Sequence, residues 1–423
     1  MDLNNLDTSQ FMEELSLHSK SQLPEKPSSS NNTAMIEEYL NKRYDFRHNV
    51  VTGQLEFKGK KDNKFISLQD RDENSLWREI QKNSDLEYAK ATCSLSSLRA
   101  ILHSNFSKEF DPLKDYFTTL PKWDQKTDHI ADLANTVKTD NDALFQRLLK
   151  KWLVGIVGSA IPPHAVNQTA LIFSGKQGVG KTTWILNLMP KQLRTYTYTG
   201  TINPTNKDTF IYLSNCMIIN LDELENLNSS EVGALKELIT KPQIKLRRPY
   251  GRNSEDLPRR ASFAGSVNSS QFLNDSTGSR RFLCFEALEF DYQHKVDMDK
   301  VYAQAYSLFN QGFKHWLDKE EIKELEKNNS KFQRSTVEED LVLEELLPAK
   351  EGDSGCLFYT TTQIASLLAT KVSSLAVNSA TIQRLGRALK KHGYKAYKKG
   401  GLQKYAVSLK QPDRDSNSGS IPG

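Results

Sequence analysis

Residues 175–182, Gly-Lys-Gln-Gly-Val-Gly-Lys-Thr, set three glycines, a lysine and a hydroxyl at the spacing a polyphosphate demands. The pattern is G-x-x-x-x-G-K-[ST]. Glycines let successive backbone N–H groups curl around an anion, and a following helix adds partial positive charge at its N-terminus. Lys181 would reach the β- and γ-phosphates of ATP, and the Thr182 hydroxyl would hold Mg²⁺. The residues expected to line the nucleotide are therefore Gly175, Gln177, Gly178, Val179, Gly180, Lys181, Thr182 and Thr183. Further on, the apolar run Cys216–Leu221 ends in Asp222 and Glu223. Asp222 would bind the metal, usually through water, and Glu223 would orient or deprotonate the attacking water.

Two more positions fit phosphoryl chemistry. Ala261–Val267 reads as a strand that delivers Asn268, an amide able to position water without adding charge. Arg280 and Arg281 stand just before another strand, and a guanidinium there can stabilise transferred phosphoryl charge in cis or from a neighbouring subunit.

Such groups need a scaffold. The branched, apolar run Thr169–Ser174 has strand length, and Thr183–Met189 has helical character and stops at Pro190. A strand, a glycine loop and a helix, repeated with acid- and amide-tipped strands, predict an α/β core. Asn228–Thr240 predicts a helix. The basic segments 243–252 and 259–268 flank a polar turn and predict a β-hairpin. Lys245, Arg247, Arg248 and Arg252 are its candidates for gripping a phosphate backbone.

The chain of 423 residues is long enough for two or three domains, with 37% hydrophobic and 26% charged residues. No apolar run spans a bilayer, and the N-terminus lacks a basic start and apolar core, so a cytoplasmic protein without a membrane partner is expected. Cys93, Cys216, Cys284 and Cys356 show no metal-ligand spacing and fit buried, reduced thiols. The net charge of +5 is uneven: residues 356–411 hold ten Lys or Arg and no acid, leaving −5 for the rest. That asymmetry points to nucleic acid.

The basic stretch has an order of its own. Thr360–Ala369 reads as a short helix and Ser379–His392 as a second, with Ile382, Leu385 and Leu389 on its apolar stripe and Arg384, Arg387 and Lys391 on the other face. Tyr394–Tyr397 and Leu402–Val407 flank Lys398, Lys399 and two glycines, a hairpin tip. Helix, turn, helix and basic hairpin make the plan of a winged helix.

GKQGVGKTTW, IINLDELENL, LRRPYGR…LPRRASF, SVNSSQF and GSRRF, in this order, resemble the virulence-associated protein E family, a branch related to the superfamily-3 and poxvirus-type helicases of phages, plasmids and integrated elements. Phe110–Phe117 with Trp123 and Asp124 resembles the segment before the loop in that family. The resemblance implies an AAA+-like core, ATP hydrolysis between subunits of a homo-oligomeric ring (often a hexamer), and movement along single- or double-stranded DNA with other replication proteins of the element. It makes Asn268 the sensor asparagine, Arg280 or Arg281 the arginine acting in trans, and Lys245, Arg247, Arg248 and Arg252 the DNA-contacting hairpin. Larger relatives carry a primase domain, and no cluster of metal-binding acids precedes this core.

The expected organisation is a flexible tail at 1–34, a mostly helical accessory region at 35–163 and a P-loop ATPase core at 164–296. A helical connector at 297–349, a winged-helix nucleic-acid-binding domain at 350–411 and a tail at 412–423 complete it. The leading expectation is an ATP-dependent DNA helicase or translocase. The alternative is a nucleotide-switched DNA-binding regulator or interference factor that uses ATP for assembly and does not unwind.

Overall fold

The computed structural model describes residues 29–82, 92–161, 165–203, 206–222, 224, 227–248, 253–273, 279–372 and 374–410. It is a mixed α/β fold with several sheets. The described residues of 1–223, 233–266 and 281–318 form one unit, and those of 224–232, 267–280 and 319–423 form another.

The first unit opens with α1 (Ser29–Arg43), β1 (Tyr44–Asn49), β2 (Gln54–Gly59), β3 (Ile66–Ser67), α2 (Asp70–Lys82), α3 (Leu95–Leu102) and β4 (Lys108–Phe110). The strands form a sheet of order β3-β2-β1-β4, with β4 parallel to β1. The accessory region thus combines its helices with a four-stranded sheet. Tyr44, Phe46 and Leu55 turn to one face and pack on Leu40, Leu98 and Leu102. β1 and β2 form a hairpin in which Asn49 folds the turn: its Oδ1 accepts from the backbone N–H of Val51 and Thr52 at 3.1 and 3.2 Å.

The chain continues through α4 (Pro112–Thr119), α5 (His129–Ala134), β5 (Val137–Thr139), α6 (Asp142–Ala160), β6 (Ala170–Ser174), α7 (Lys181–Asn187), β7 (Thr197–Gly200), α8 (Lys207–Asn215) and β8 (Ile218–Leu221). Next come α9 (Ser229–Thr240), β9 (Gln243–Leu246), β10 (Glu255–Pro258), β11 (Ser262–Val267), β12 (Phe282–Phe290) and α10 (Met298–Asn310). Six of these strands form one sheet of order β5-β12-β6-β11-β8-β7. β12 runs parallel to β6, β11 to β8 and β7 to β8, while β5 closes the edge antiparallel to β12. β6 is buried at every residue, as a parallel central strand covered on both faces must be. Trp152 of α6 is fully buried and its indole N–H donates to the Phe263 carbonyl of β11, 3.2 Å away. That contact fixes the helix against the sheet.

In the second unit, α11 (Lys319–Asn329) precedes α12 (Val337–Glu345), β13 (Leu346–Pro348), β14 (Leu357–Tyr359), α13 (Thr361–Lys371), α14 (Ser379–Lys391), β15 (Ala396–Lys399) and β16 (Leu402–Leu409). A capping box closes the start of α13: Thr360 and Gln363 each bond the other's backbone N–H. β16 carries β14 on one edge and β15 and β13 end to end on the other. The core of this unit joins Leu341 and Val342 of α12 to Ile364, Leu368, Leu385, Leu389, Tyr405 and Val407. α12 therefore belongs with this module, although the sequence reading set it in the connector.

Candidate functional site

The glycine-rich loop leaves the C-terminal end of β6 and enters α7. Gly180 is the N-cap of α7 with φ of 97°, and a Cβ there would lie 2.3 Å from the Tyr292 ring. Gly175 has φ of 141°, and a Cβ would lie 2.7 Å from the Ala287 carbonyl oxygen. Only glycine fits either place. Gln177, Gly178 and Thr183 are exposed, and Val179 is half-buried. Lys181 is buried, and its ammonium donates to the carbonyls of Gly175 and Lys176 at 2.7 and 2.8 Å. The lysine thus bends back over its own loop, holding it in the shape a polyphosphate would enter.

Three side chains converge beyond the loop. The Thr182 and Ser266 hydroxyl oxygens are 3.2 Å apart. Gly265 of β11 pairs with Leu221 of β8, so the next step of that parallel register brings Ser266 level with Asp222. The Asn220 amide donates to the Asp222 carboxylate at 3.0 Å and fixes it. Among the described residues, the buried Ser174 hydroxyl and the buried Asn220 amide oxygen have no hydrogen-bond partner. Hydroxyl, hydroxyl and carboxylate beside orphaned oxygens are a donor set that suits a hard divalent cation and a phosphate. Ser266 was missing from the sequence reading, and only strand register reveals it. Glu223 lies outside the described residues. Asn268 is exposed, in the chain just past β11, and is counted with the second unit.

The arginines divide. Arg280 is exposed and belongs to the second unit; Arg281 is half-buried, belongs to the first, and its buried Nε has no hydrogen-bond partner among the described residues. Phe282 of β12 pairs with Ala170 of β6, and Glu286 with Ser174. Arg281 therefore sits at the sheet edge opposite the loop, about 16 Å away at the rise of a parallel strand. It cannot reach the loop of its own chain.

Beside α7 a cavity of about 860 Å³ opens between Thr183, Asn187, Arg194, Tyr292, His294 and Asp297. His294 Nδ1 accepts from the Val296 N–H at 3.3 Å, which leaves Nε2 to carry the proton, buried and unpartnered. Burial pulls the pKa of this imidazole down, against the pull of Asp291.

A hairpin forms on β9, but its second arm is β10, from residues expected to turn, while the arm expected at 259–268 carries β11 of the core sheet. Leu257 pairs with Ile244 in β9, and the chain then turns inward. Arg259 and Arg260, expected on the basic hairpin, are buried. The Arg259 guanidinium donates to the carbonyls of Lys241, Ala261 and Asn167, and burial lowers its pKa to about 9. Arg260 pairs with Asp111 at 2.8 Å. Arg248 is tied as well: it donates to the carbonyls of Val50 and Val51 at 3.1 and 3.3 Å and meets Glu255 at 3.3 Å. Lys245 and Arg247 stay exposed, and Arg252 lies outside the described residues.

The sequence profile of the virulence-associated protein E-like domain matches residues 117–334, just over half of the chain. The chain belongs to the virulence-associated protein E-like family. No curated protein matches its sequence. Among solved structures, the apo structure of the NrS-1 C-terminal region is similar at 14% identity and a TM-score of 0.47, covering 90% of this chain and 100% of that one. The A form apo structure of the same region has 14% identity and a TM-score of 0.45, covering 90% and 99%.

This virulence-associated protein E-like chain carries its basic module outside the matched segment. There the acids of 338–351 neutralise part of the positive charge. Arg384 meets Glu338 at 2.7 Å, Lys391 and His392 meet Glu339 at 2.6 and 2.7 Å, and Lys371 meets Glu345 at 3.6 Å. Lys399 meets Glu351 at 2.6 Å. Burial would raise the carboxyls of Glu338 and Glu339, but their basic partners outweigh it and hold both below the usual range. Of the three basic residues placed on the outer face of α14, Arg387 alone is exposed and without an ion pair; Gln383 and Lys390 join it at helical spacing. Lys398 is exposed at the hairpin tip.

Proposed function

We propose that this chain is a P-loop ATPase of the superfamily-3 helicase type, with an AAA+-like core and a C-terminal winged helix, that drives DNA movement in the replication of a phage, plasmid or integrated mobile element. The observation that carries the reading is the alignment of Thr182, Ser266 and Asp222 beyond a loop whose Gly175 and Gly180 admit no Cβ. β11 lies between the loop strand and the acid-bearing strand, where an AAA+-like core needs a polar sensor. Lys181 would turn from the loop carbonyls to the β- and γ-phosphates. Bound Mg²⁺ would neutralise phosphate charge, held by Thr182 and Asp222 with Ser266 beside them. Glu223 would activate water, Asn268 would position it, and the cavity beside α7 would take the nucleoside. Since Arg281 is too far from its own loop, it or Arg280 would complete a neighbour's site, which calls for a ring. Lys245, Arg247 and Arg252 would grip the strand, while Arg387, Lys390 and Lys398 dock duplex. The deciding experiment compares ATP turnover with and without single-stranded DNA. Stimulation is expected; turnover indifferent to saturating DNA would sink the motor.

A second reading, a nucleotide-switched DNA-binding regulator or interference factor, is favoured by one observation. Arg248, central to the basic hairpin, is spent on the accessory turn at Val50 and Val51, which shortens the gripping surface.

A further inference from the structure

Ten cations and no acid lie in residues 356–411. Four are paired with glutamates of α12 and of the β13–β14 connection, and Lys410 donates to the Leu343 carbonyl. Among the described residues, Arg387, Lys390, Lys395, Lys398 and Lys404 have no ion pair or side-chain hydrogen bond. These five do not share one surface. Arg387 and Lys390 stand on α14. Lys395 and Lys404 stand elsewhere, and the strand register shows where.

Tyr405 and Val407 of β16 point into the core beneath the helices. Alternation turns Lys404 and Ala406 to the opposite face of the sheet. Tyr397 of β15 is directly across from Lys404, and Phe358 of β14 is across from Ala406. Lys395 and Lys399 share the face of Tyr397, two residues to either side. The Phe358 and Tyr397 rings meet edge to face at 5.5 Å, and the Lys399 ammonium lies 3.5 Å from the Phe358 centroid, which covers that ring. Tyr397 is half-buried, braced by Phe358, and flanked by the unpaired Lys395 and Lys404. A braced aromatic ring between uncompensated cations is a base-stacking surface with phosphate contacts on both sides. Bases in a duplex are already stacked and cannot lie on such a ring, so the complement is a single strand.

We propose that the outer face of the β14–β16–β15 sheet binds single-stranded nucleic acid, with bases stacking on Tyr397 and phosphates held by Lys395 and Lys404. The inference rests on the DNA-directed reading above but not on hydrolysis. The winged module then has two faces, α14 for duplex and the sheet for a displaced strand.

The test measures binding of fluorescent oligothymidylate and of a fluorescent duplex to the full chain by anisotropy. Tyr397→Ala should weaken oligothymidylate binding about tenfold, while Tyr397→Phe keeps wild-type affinity. Lys395→Ala with Lys404→Ala should flatten the salt dependence for oligothymidylate by about 1.4, since each single-strand contact contributes about 0.7. Duplex affinity should stay within about twofold in all three. Arg387→Ala with Lys390→Ala should do the reverse, which also shows that the module remains folded. Unchanged oligothymidylate affinity in Tyr397→Ala, or equal loss of both ligands, overturns the platform. ATP turnover is read in parallel: if it is present while the platform variants bind normally, the platform fails and the ATPase reading stands.

Discussion

The Thr182 hydroxyl faces that of Ser266 across 3.2 Å, joining the residue after the loop lysine to β11 of the core sheet. Ser266 is also level with Asp222, so one side chain touches the loop and stands beside the acid. Ser266→Ala should lower ATP turnover about tenfold with nucleotide affinity retained, as expected for a group that orders the site without carrying the phosphates. Lys181→Ala should abolish turnover and weaken binding. Steady-state hydrolysis and nucleotide titration check both; full activity in Ser266→Ala would remove it from the site.

The proposed ring gives Arg280 or Arg281 its role in a neighbour's site. Arg280→Ala or Arg281→Ala alone should be inactive, and Lys181→Ala alone should be inactive. Mixed rings should recover part of the ATP turnover, because some interfaces combine an intact loop with an intact arginine. Co-assembled mixtures with no recovery would argue against action in trans.

The cations at the end of β9 differ in task. Arg248→Ala should cost about 1–3 kcal/mol of stability, since charged hydrogen bonds to two carbonyls are lost. Lys245→Ala with Arg247→Ala should leave the melting temperature unchanged and reduce DNA-stimulated turnover. Thermal melts and stimulated hydrolysis, measured side by side, separate the two roles.

On α14, Arg387→Ala with Lys390→Ala should flatten the salt dependence of duplex binding by about 1.8, at about 0.9 for each lost phosphate contact. Arg384→Ala should instead lower stability, because it strands the buried Glu338 carboxylate. An Arg384→Ala variant with an unchanged melt and weakened duplex binding would reverse the assignment.

Acid should loosen the same module. The folded-state pKa values of Glu338 and Glu339 lie below their unfolded values of about 4.3. Their stabilisation is thus complete above that pH and is lost as pH falls through the folded values. Melts of the full chain from neutral to acidic pH should show this loss. It should shrink in a Glu338→Gln, Glu339→Gln variant.

What the sequence determined by itself is local. The loop and its flanking strand and helix, the acid at the end of β8, the first arm of the core hairpin, and the two helices and basic hairpin of the C-terminal module follow from contiguous residues, since glycine conformation, capping and apolar periodicity act within a few positions. Burial of Cys216 and Cys284 followed from their apolar runs; Cys93 is buried as well, whereas Cys356, also expected inside, is only half-buried. The accessory sheet did not, because β4 reaches β1 across some sixty residues and its strands are short and charged on one face. The tertiary structure alone decided which cations are free. Arg247 and Arg248 are neighbours, and Arg384 and Arg387 lie one turn apart on α14, yet one of each pair is exposed and the other bonded to groups distant in sequence. Charge is a property of the residue, but availability depends on which carboxylate or carbonyl the fold brings within hydrogen-bond reach.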